Sequence, residues 1–468
     1  MLDFVIFAVT FVVILFILVI WLYPTSRKVT TVPGLEPSNK DDGNLSDITR
    51  AGSLHMFLID LHKQFGPIAS FWMGEQLVVS IASPELFKQQ MSVFDRPGDL
   101  FQIIAPLCGP TSIQFLNGAE GRGRRQLYDK SFLHENLHVY TEGLQKISKE
   151  MVTKWGSLVK EEHIPLQQYM KAFATKVVLQ CTLGAFFLDD KEVFNFKQHF
   201  DKAWSELEHR LQDPSIPPED SPRGKAFREA LKGLQGIIKK ALQHREKNRL
   251  ASKESLIVDH ILSVHKDEDA QTSDCLSYLV YGIPAAGSLL TWCLYFLASH
   301  PTIQDKLKQE LSGAGDFSPK SLEKLRYLRQ VLEETFRCAV IVPWAARYQD
   351  FDSELGGHKI SKRTPVVHAL GVVLQDDNLW PLPNKFDPDR FSVENGKDRP
   401  TLAFAPFGFA GKRLCPAKDF VYLEAAVLVA SLVSKFKVSL VEGQVVNPVY
   451  GLVTKPEDEI WVTVQKRN

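Results

Sequence analysis

The sequence predicts a mainly α-helical fold with small antiparallel β-sheets, a single large globule preceded by an N-terminal transmembrane helix. Three observations carry this prediction. Phe4 to Ser26 holds no charged side chain, Glu120 to about His265 is helical in pattern almost throughout, and two short runs, IASFWMG and QLVVSIA, read as paired strands.

The first element is the apolar span. Between Phe4 and Tyr23 only Thr10 is polar, and twenty residues at about 1.5 Å each cover roughly 30 Å, the thickness of a bilayer core. A cleaved signal peptide is the alternative, but it wants a basic start and a small-residue cleavage site, whereas this segment begins at Asp3 and ends Trp21-Leu22-Tyr23-Pro24. Arg27 and Lys28 follow the span, which places the rest of the chain in the cytosol, and Trp21 and Tyr23 suit the interface. The expectation is a single-pass membrane protein. Residues 1–26 are the anchor, 27–52 a proline/glycine hinge and linker containing Val32-Pro33-Gly34-Leu35-Glu36-Pro37, and 53–468 the globule.

A helix follows from Ser53, then the strand pair turning at Gly74 and Glu75, then the long helical region. Two stretches interrupt it: the proline-rich Asp213 to Arg223, either a lid or a plain surface loop, and the polar run His244 to Glu254. A second uncharged stretch, Cys275 to Ser299, is long enough to span a membrane. Its flanks, Asp274 and His300-Pro301, carry no basic cluster, and a helix buried on all sides is the better expectation, with Thr272 or Ser273 as its N-cap.

Composition removes several function classes. With 55 Lys+Arg against 55 Asp+Glu the formal charge is zero, so bulk electrostatic binding of nucleic acid is unsupported. At 44% hydrophobic and 24% charged residues the chain as a whole is not disordered. Six cysteines without a C-x-x-C pair suggest neither a disulfide scaffold nor a zinc site, and reduced thiols are expected.

The most informative segment is Ala405-Pro406-Phe407-Gly408-Phe409-Ala410-Gly411-Lys412-Arg413-Leu414-Cys415-Pro416, followed by the helical run FVYLEAAVLVASLVSKF. A cysteine at a helix start beside cations sits where a thiolate is stabilised, as a metal-ligating sulfur must be. A phosphate loop is excluded, because Gly408 and Gly411 are too close and Arg413 stands where a hydroxyl residue is needed. A cysteine hydrolase has no local histidine as base, and a structural core cysteine stays open. Upstream, Glu334-Thr335-Phe336-Arg337 places an acid and a base on one helix face, and Phe386-Asp387-Pro388-Asp389-Arg390-Phe391 adds a second arginine.

The order E-x-x-R, P-x-R-F, G-x-R-x-C resembles the cytochrome P450 superfamily, and stretches such as LGVVLQDDNLWPLPNKFDPDRF and GSLHMFLIDLHKQFGPIASFW are most similar to its orphan animal family 20. The resemblance implies a haem (iron protoporphyrin IX) held by the Cys415 thiolate as axial ligand. It implies a structural triad of Glu334, Arg337 and Arg390. It also implies Arg125, Arg347 and Arg413 against the haem propionates, with Phe407 and Gly411 shaping the cofactor-binding loop. The GRGRR run around Arg125 also reads as a solvated basic turn or docking patch.

Four departures stand out. Gly121 replaces the tryptophan of the family's W-x-x-x-R, removing one propionate donor, and Ala417 replaces a glycine. Phe407 lies eight residues before Cys415, one more than usual, so either the loop bulges or Phe409 packs under the porphyrin. In the central helix the proton-relaying acid and threonine correspond to Pro284 and Ala285, neither of which donates a proton, and no catalytic residue is assigned there. A break in helical hydrogen bonding at Pro284 would admit a water as a substitute relay.

The resemblance implies a monooxygenase acting on a lipophilic small molecule with electrons from NADPH through cytochrome P450 reductase, docked on a basic face near Arg122, Arg124, Lys130, Lys412 and Lys418. Two alternatives remain at this point: a reductase-independent peroxide isomerase or peroxygenase, and a non-enzymatic haem sensor.

Overall fold

The computed structural model describes residues 9–15, 30–159, 161–213, 216–248, 255–314 and 317–467. Its longer helices are α1 (Leu54–Phe65), α2 (Gly118–Tyr128), α3 (His138–Gly156), α4 (Leu166–Leu183), α5 (Asp190–Gln212), α6 (Pro222–Asn248), α7 (Glu268–Ser299), α8 (Arg326–Ala339) and α9 (Lys418–Lys435). The strands are β1 (Ile68–Met73), β2 (Gln76–Ile81), β3 (Ile164–Pro165), β4 (Ala345–Arg347), β5 (Ser353–Leu355), β6 (His358–Ile360), β7 (Val366–His368), β8 (Phe436–Leu440), β9 (Pro448–Tyr450), β10 (Thr454–Pro456) and β11 (Trp461–Lys466).

The second uncharged stretch lies in α7, which packs against α4, α6, α8 and α9. Among the described residues it is the one helix long and apolar enough to cross a membrane, yet 72% of its most apolar window is buried, so it is a core helix. It begins earlier than expected. The N-cap is Asp267, whose side chain accepts from the Ala270 amide, and not Thr272 or Ser273; Thr272 instead donates to the Glu268 carbonyl within the helix. Glu268 and Asp269 in the first turn suit the positive end of the helix dipole, which moves the start into the polar flank. Two glycines bring α4 close. A Cβ on Gly282 would stand 3.2 Å from Val178 Cγ1, and one on Gly287 3.2 Å from Lys171 Cα.

The strand pair forms as expected, β1 antiparallel to β2, with Gly74 turning at φ 58°. The sheet it belongs to is mixed, however, because β2 pairs in parallel with β7, which pairs antiparallel with β4. β7 arrives from almost three hundred residues away, and a long connection permits the parallel sense that a hairpin forbids. β3, β11 and β8 form a second sheet, and β5–β6 and β9–β10 are two-stranded. One large core fills the space between the helices, and a smaller one, including Val79, Ile81, Phe87, Val366 and Phe409, lies under the mixed sheet.

Of the expected span 4–23, residues 9–15 are described, as helix, with Val9, Phe11, Val12, Val13, Ile14 and Leu15 exposed. The remainder, with Trp21, Tyr23, Arg27 and Lys28, lies outside the described residues. The polar run from His244 begins as the last turn of α6, since the helix continues to Asn248.

Candidate functional site

The cysteine loop is held by its own backbone. The Cys415 amide donates to the Phe407 carbonyl at 3.1 Å, the Gly408 amide to Ala405 and the Gly411 amide to Phe409. Gly408 and Gly411 take φ of 78° and 50°, and a Cβ on Gly411 would lie 3.1 Å from the Met91 carbonyl oxygen. Phe407 packs on Phe336 and Tyr422 of the main core, with ring centroids 4.7 and 5.4 Å away, while Phe409 stacks on Phe87 and His368 in the smaller core. The two rings thus pack into different cores.

Cys415 stands three residues before α9, whose first helical residue is Lys418. Burial pushes its thiol up, and the opposing pull of the Ala417 amide, Arg125 and Lys418 does not outweigh it. Arg125 and Lys418 pull in the expected direction, toward the anion. Stabilising the anion takes a further positive charge at the sulfur, which a metal supplies.

Around this loop four guanidinium groups converge. Arg413 donates from Nη1 to the Ile113 carbonyl at 3.0 Å and from Nη2 to the Leu116 carbonyl, and lies over the Phe94 ring. Arg347, from β4, donates to the Arg413 carbonyl at 3.4 Å. Arg125, from α2, donates to Leu414 and to Asp129, whose carboxylate outweighs the burial that disfavours its charge. Arg96 is the fourth. Its backbone is clamped by Asn117, which accepts from the Arg96 amide and donates to its carbonyl. Burial and mutual repulsion push the Arg413 group down to about 8 and lower Arg96 and Arg347 too. The Nε atoms of Arg96, Arg347 and Arg413 are buried without a hydrogen-bond partner among the described residues.

Such a cluster is stable only opposite an anion. Its demand, two or more carboxylates beside a cysteine, fits the propionates of a haem seated on that loop. Arg96 was not among the expected propionate partners. A Cβ on Gly121 would lie 2.5 Å from the Leu116 oxygen and 3.2 Å from the Phe94 ring, so Leu116 and Phe94 leave no room for a large side chain there.

The GRGRR run is not a solvated turn. It lies in α2, where Arg125 is buried and Arg124 turns inward to Glu120 at 2.6 Å and Asp274 at 3.6 Å. Arg124 therefore leaves the expected basic face, on which Arg122 and Lys130 are exposed and Lys418 half-buried; the Lys412 side chain lies outside the described ones.

Glu334, Arg337 and Arg390 come together. Arg337 donates to both Glu334 oxygens at 2.7 and 2.8 Å, and Arg390 donates to Glu334 Oε1 at 3.2 Å. On α7, Pro284 and Ala285 bring no polar side chain, and Pro284 has no N–H to give the Val280 carbonyl. One turn earlier, Tyr281 accepts from Gln114 Nε2 at 3.0 Å, and the Tyr278 hydroxyl is buried with no partner among the described residues.

Comparison with known proteins agrees with this geometry. A cytochrome P450 family model matches residues 37–464. Cytochrome P450 20A1 of Mus musculus is 38% identical over 478 residues and that of Homo sapiens 35% over 474, each alignment covering 100% of both chains. Cytochrome P450 4V2 of Mus musculus is 23% identical, covering 86% of this chain and 83% of its own.

Proposed function

The chain belongs to the cytochrome P450 family, and from that premise we propose that it is a membrane-anchored monooxygenase whose haem is ligated by Cys415 and which oxidises a lipophilic small molecule. The activity of a haem-thiolate monooxygenase comes with the family; the ligand, anchor, electron source and substrate class are this proposal's own. Bound haem supplies an iron centre that activates dioxygen for insertion of one oxygen atom into an organic substrate.

The observation that carries the reading is that the buried Nε atoms of Arg96, Arg347 and Arg413, beside the cysteine loop, have no hydrogen-bond partner among the described residues. They offer charge-assisted hydrogen bonds to two carboxylates. Arg125 ties α2 to the loop through the Leu414 carbonyl. The Cys415 amide bonds to the Phe407 carbonyl, which ties the cysteine to the start of its loop. Glu334 binds Arg337, Arg390 and the Asp387 amide, holding α8 to the segment that leads into the loop.

The exposed apolar residues of helix 9–15 support an anchor, with the globule facing the cytosol at the endoplasmic reticulum. Arg122, Lys130 and Lys418 support docking of an acidic NADPH-dependent reductase. The carbon monoxide difference spectrum of the reduced protein tests the core of the proposal. A thiolate-type Soret band is expected in the wild type and its loss in Cys415→Ser; a band that survives the substitution refutes the assignment.

A second reading is favoured by Pro284 and Ala285. A substrate that brings its own O–O bond needs no proton relay, so consumption of a lipid hydroperoxide without an electron donor supports a peroxide isomerase or peroxygenase, and its absence argues against one.

A further inference from the structure

The segment 109–117, which leads into α2, receives the side chain of Arg413. Arg413 donates to the carbonyl oxygens of Ile113 and Leu116 and to Asn117 Oδ1, and Asn117 in turn clamps the backbone of Arg96. Such acceptors orient a guanidinium only as well as the chain behind them is held. Contacts with α7 hold this segment. A Cβ on Gly109 would stand 2.9 Å from Ser273 Oγ, Gln114 donates to the Tyr281 hydroxyl at 3.0 Å, and the Ile113 amide donates to Asp274 Oδ1 at 2.6 Å.

Asp274 stands just before the uncharged stretch of α7 and is fully buried. Its second oxygen serves the other arm of the arginine cluster. Oδ2 accepts from the Tyr128 hydroxyl and from His265 Nε2, each at 2.8 Å, with Arg124 Nη1 3.6 Å away. Tyr128 and Arg124 belong to α2, whose Arg125 donates to the Leu414 carbonyl beside Cys415. One carboxylate thus joins the segment that aligns Arg413 and Arg96 to the helix that carries Arg125. Packing alone does not call for a charge at this place, since apolar replacement of buried ions is often neutral or stabilising. What the carboxylate adds is the orientation of an amide, a hydroxyl and an imidazole that all point at it.

We propose that Asp274 is a positioning residue for the haem: by tying segment 109–117 and α2 to α7, it sets where Arg413, Arg96 and Arg125 present their guanidinium groups to the propionates. This rests on the reading of the arginine cluster as the propionate site. Asp274 acts at one remove, through the Ile113 amide and the Tyr128 hydroxyl.

The test uses the haem-loaded full chain and measures the rate at which haem passes to excess apomyoglobin, alongside the melting temperature of the haem-free protein. Asp274→Ala is expected to speed release by about 10–100-fold, the usual loss when the group behind a ligand's partner is removed. Asp274→Asn keeps an acceptor for the Ile113 amide and is expected to recover part of that loss. Tyr128→Phe cuts a bond of the α2 arm alone and is expected to speed release less than Asp274→Ala. Resonance Raman bands of propionate bending should shift in all three variants. The thiolate-type Soret band of the reduced carbon monoxide complex should stay in place, because the bond from the Cys415 amide to Phe407 is untouched.

A double-variant cycle separates positioning from a general structural role. In an Arg413→Leu background Asp274→Ala should add less to the release rate than it does in the wild type, because a guanidinium it aligns is gone. Asp274→Asn and Tyr128→Phe carry the same cycle if Asp274→Ala does not fold. Multiplicative rates in the cycle, or release that follows the melting temperature of the haem-free variants with unshifted propionate bands, overturn the positioning role. Unchanged haem release in Arg413→Leu alone would instead overturn the propionate reading, and the role of Asp274 with it.

Discussion

Arg337 donates from Nε to Glu334 Oε2 at 2.7 Å, and neither side chain has any exposed surface. An ion pair this deep is no argument for high stability, since desolvating both charges cancels most of their attraction. Its consequence is asymmetric. Glu334 also accepts from Arg390 and from the Asp387 amide, so removing it strands two guanidinium groups and a backbone donor at once.

Glu334→Gln is therefore expected to destabilise the fold by about 3–5 kcal/mol, the cost of an uncompensated buried charge. The double variant Glu334→Leu/Arg337→Leu should lose less than the sum of its single changes, because each single change pays for the other's isolation. Urea unfolding of the four proteins checks this, and additive losses would show that the two residues are not coupled.

The arginine cluster predicts a pH response without haem that bound haem removes. In the protein alone, Arg413 is pushed down to about 8, by burial and by Arg96, Arg125 and Arg347. The unfolded chain, with an ordinary guanidinium, binds that proton more tightly. The destabilisation is thus fully present below about 8 and is relieved as pH rises through it, so haem-free protein gains stability between neutral pH and about 9. Bound propionates hold the group charged, and the gain disappears. Arg413→Leu should remove the effect from the haem-free protein while weakening haem retention. Melting temperatures across this pH range, with and without haem, measure both arms.

The cysteine loop supplies a matched pair of substitutions. Gly408→Ala meets no atom within 4 Å, so it bears only the cost of a positive φ, about 1–2 kcal/mol. Gly411→Ala adds a contact at 3.1 Å to the Met91 carbonyl oxygen, a backbone atom that cannot turn aside. The second variant is expected to lose more stability and to shift the Soret band of the loaded protein, because it displaces the turn leading into Cys415. Equal losses with equal spectra would mean the loop tolerates the extra atom.

The parts of this site visible in the sequence are those with local spacing. Glu334 and Arg337 are three apart on one helix face, and Gly408, Gly411, Arg413 and Cys415 lie within one turn-rich segment. Arg96 left no such trace. It is a single arginine in an irregular stretch, and what recruits it is Asn117, twenty-one residues away. The parallel β2–β7 pairing is equally long-range. Thr272 and Ser273 are good capping residue types, but nothing local tells how far a helix extends into its polar flank, and Asp267 caps it instead. Asp274 did leave a signal, as the acid just before the uncharged stretch Cys275 to Ser299. Whether such a residue faces solvent or the core depends on the helices packed around it.

The α5–α6 corner, expected as a lid or a surface loop, turns on Glu206. This carboxylate is 7% exposed and accepts from Arg210 Nε at 2.7 Å and from Arg223 Nε and Nη2 at 2.6 and 3.0 Å, while Arg210 lies over the Phe227 ring. Burial works against its charge, but the hydrogen bonds from Arg223 and Arg210 prevail and hold it below the ordinary carboxylate value of 4.5. The stability this adds is fully present above that ordinary value and is lost as pH falls through the depressed one. Local opening follows, because protonation removes the charge that joins the end of α5 to the start of α6. Hydrogen exchange should therefore quicken at the end of α5 and the start of α6 as pH falls below the ordinary carboxylate value, while α4 and α7 stay protected. Glu206→Gln should reproduce the opening at neutral pH. Arg223→Lys, which surrenders the two-pronged contact but keeps the charge, should fall between the two. Unchanged exchange in Glu206→Gln would mean that apolar packing of α5 on α6 holds the corner without the ion cluster.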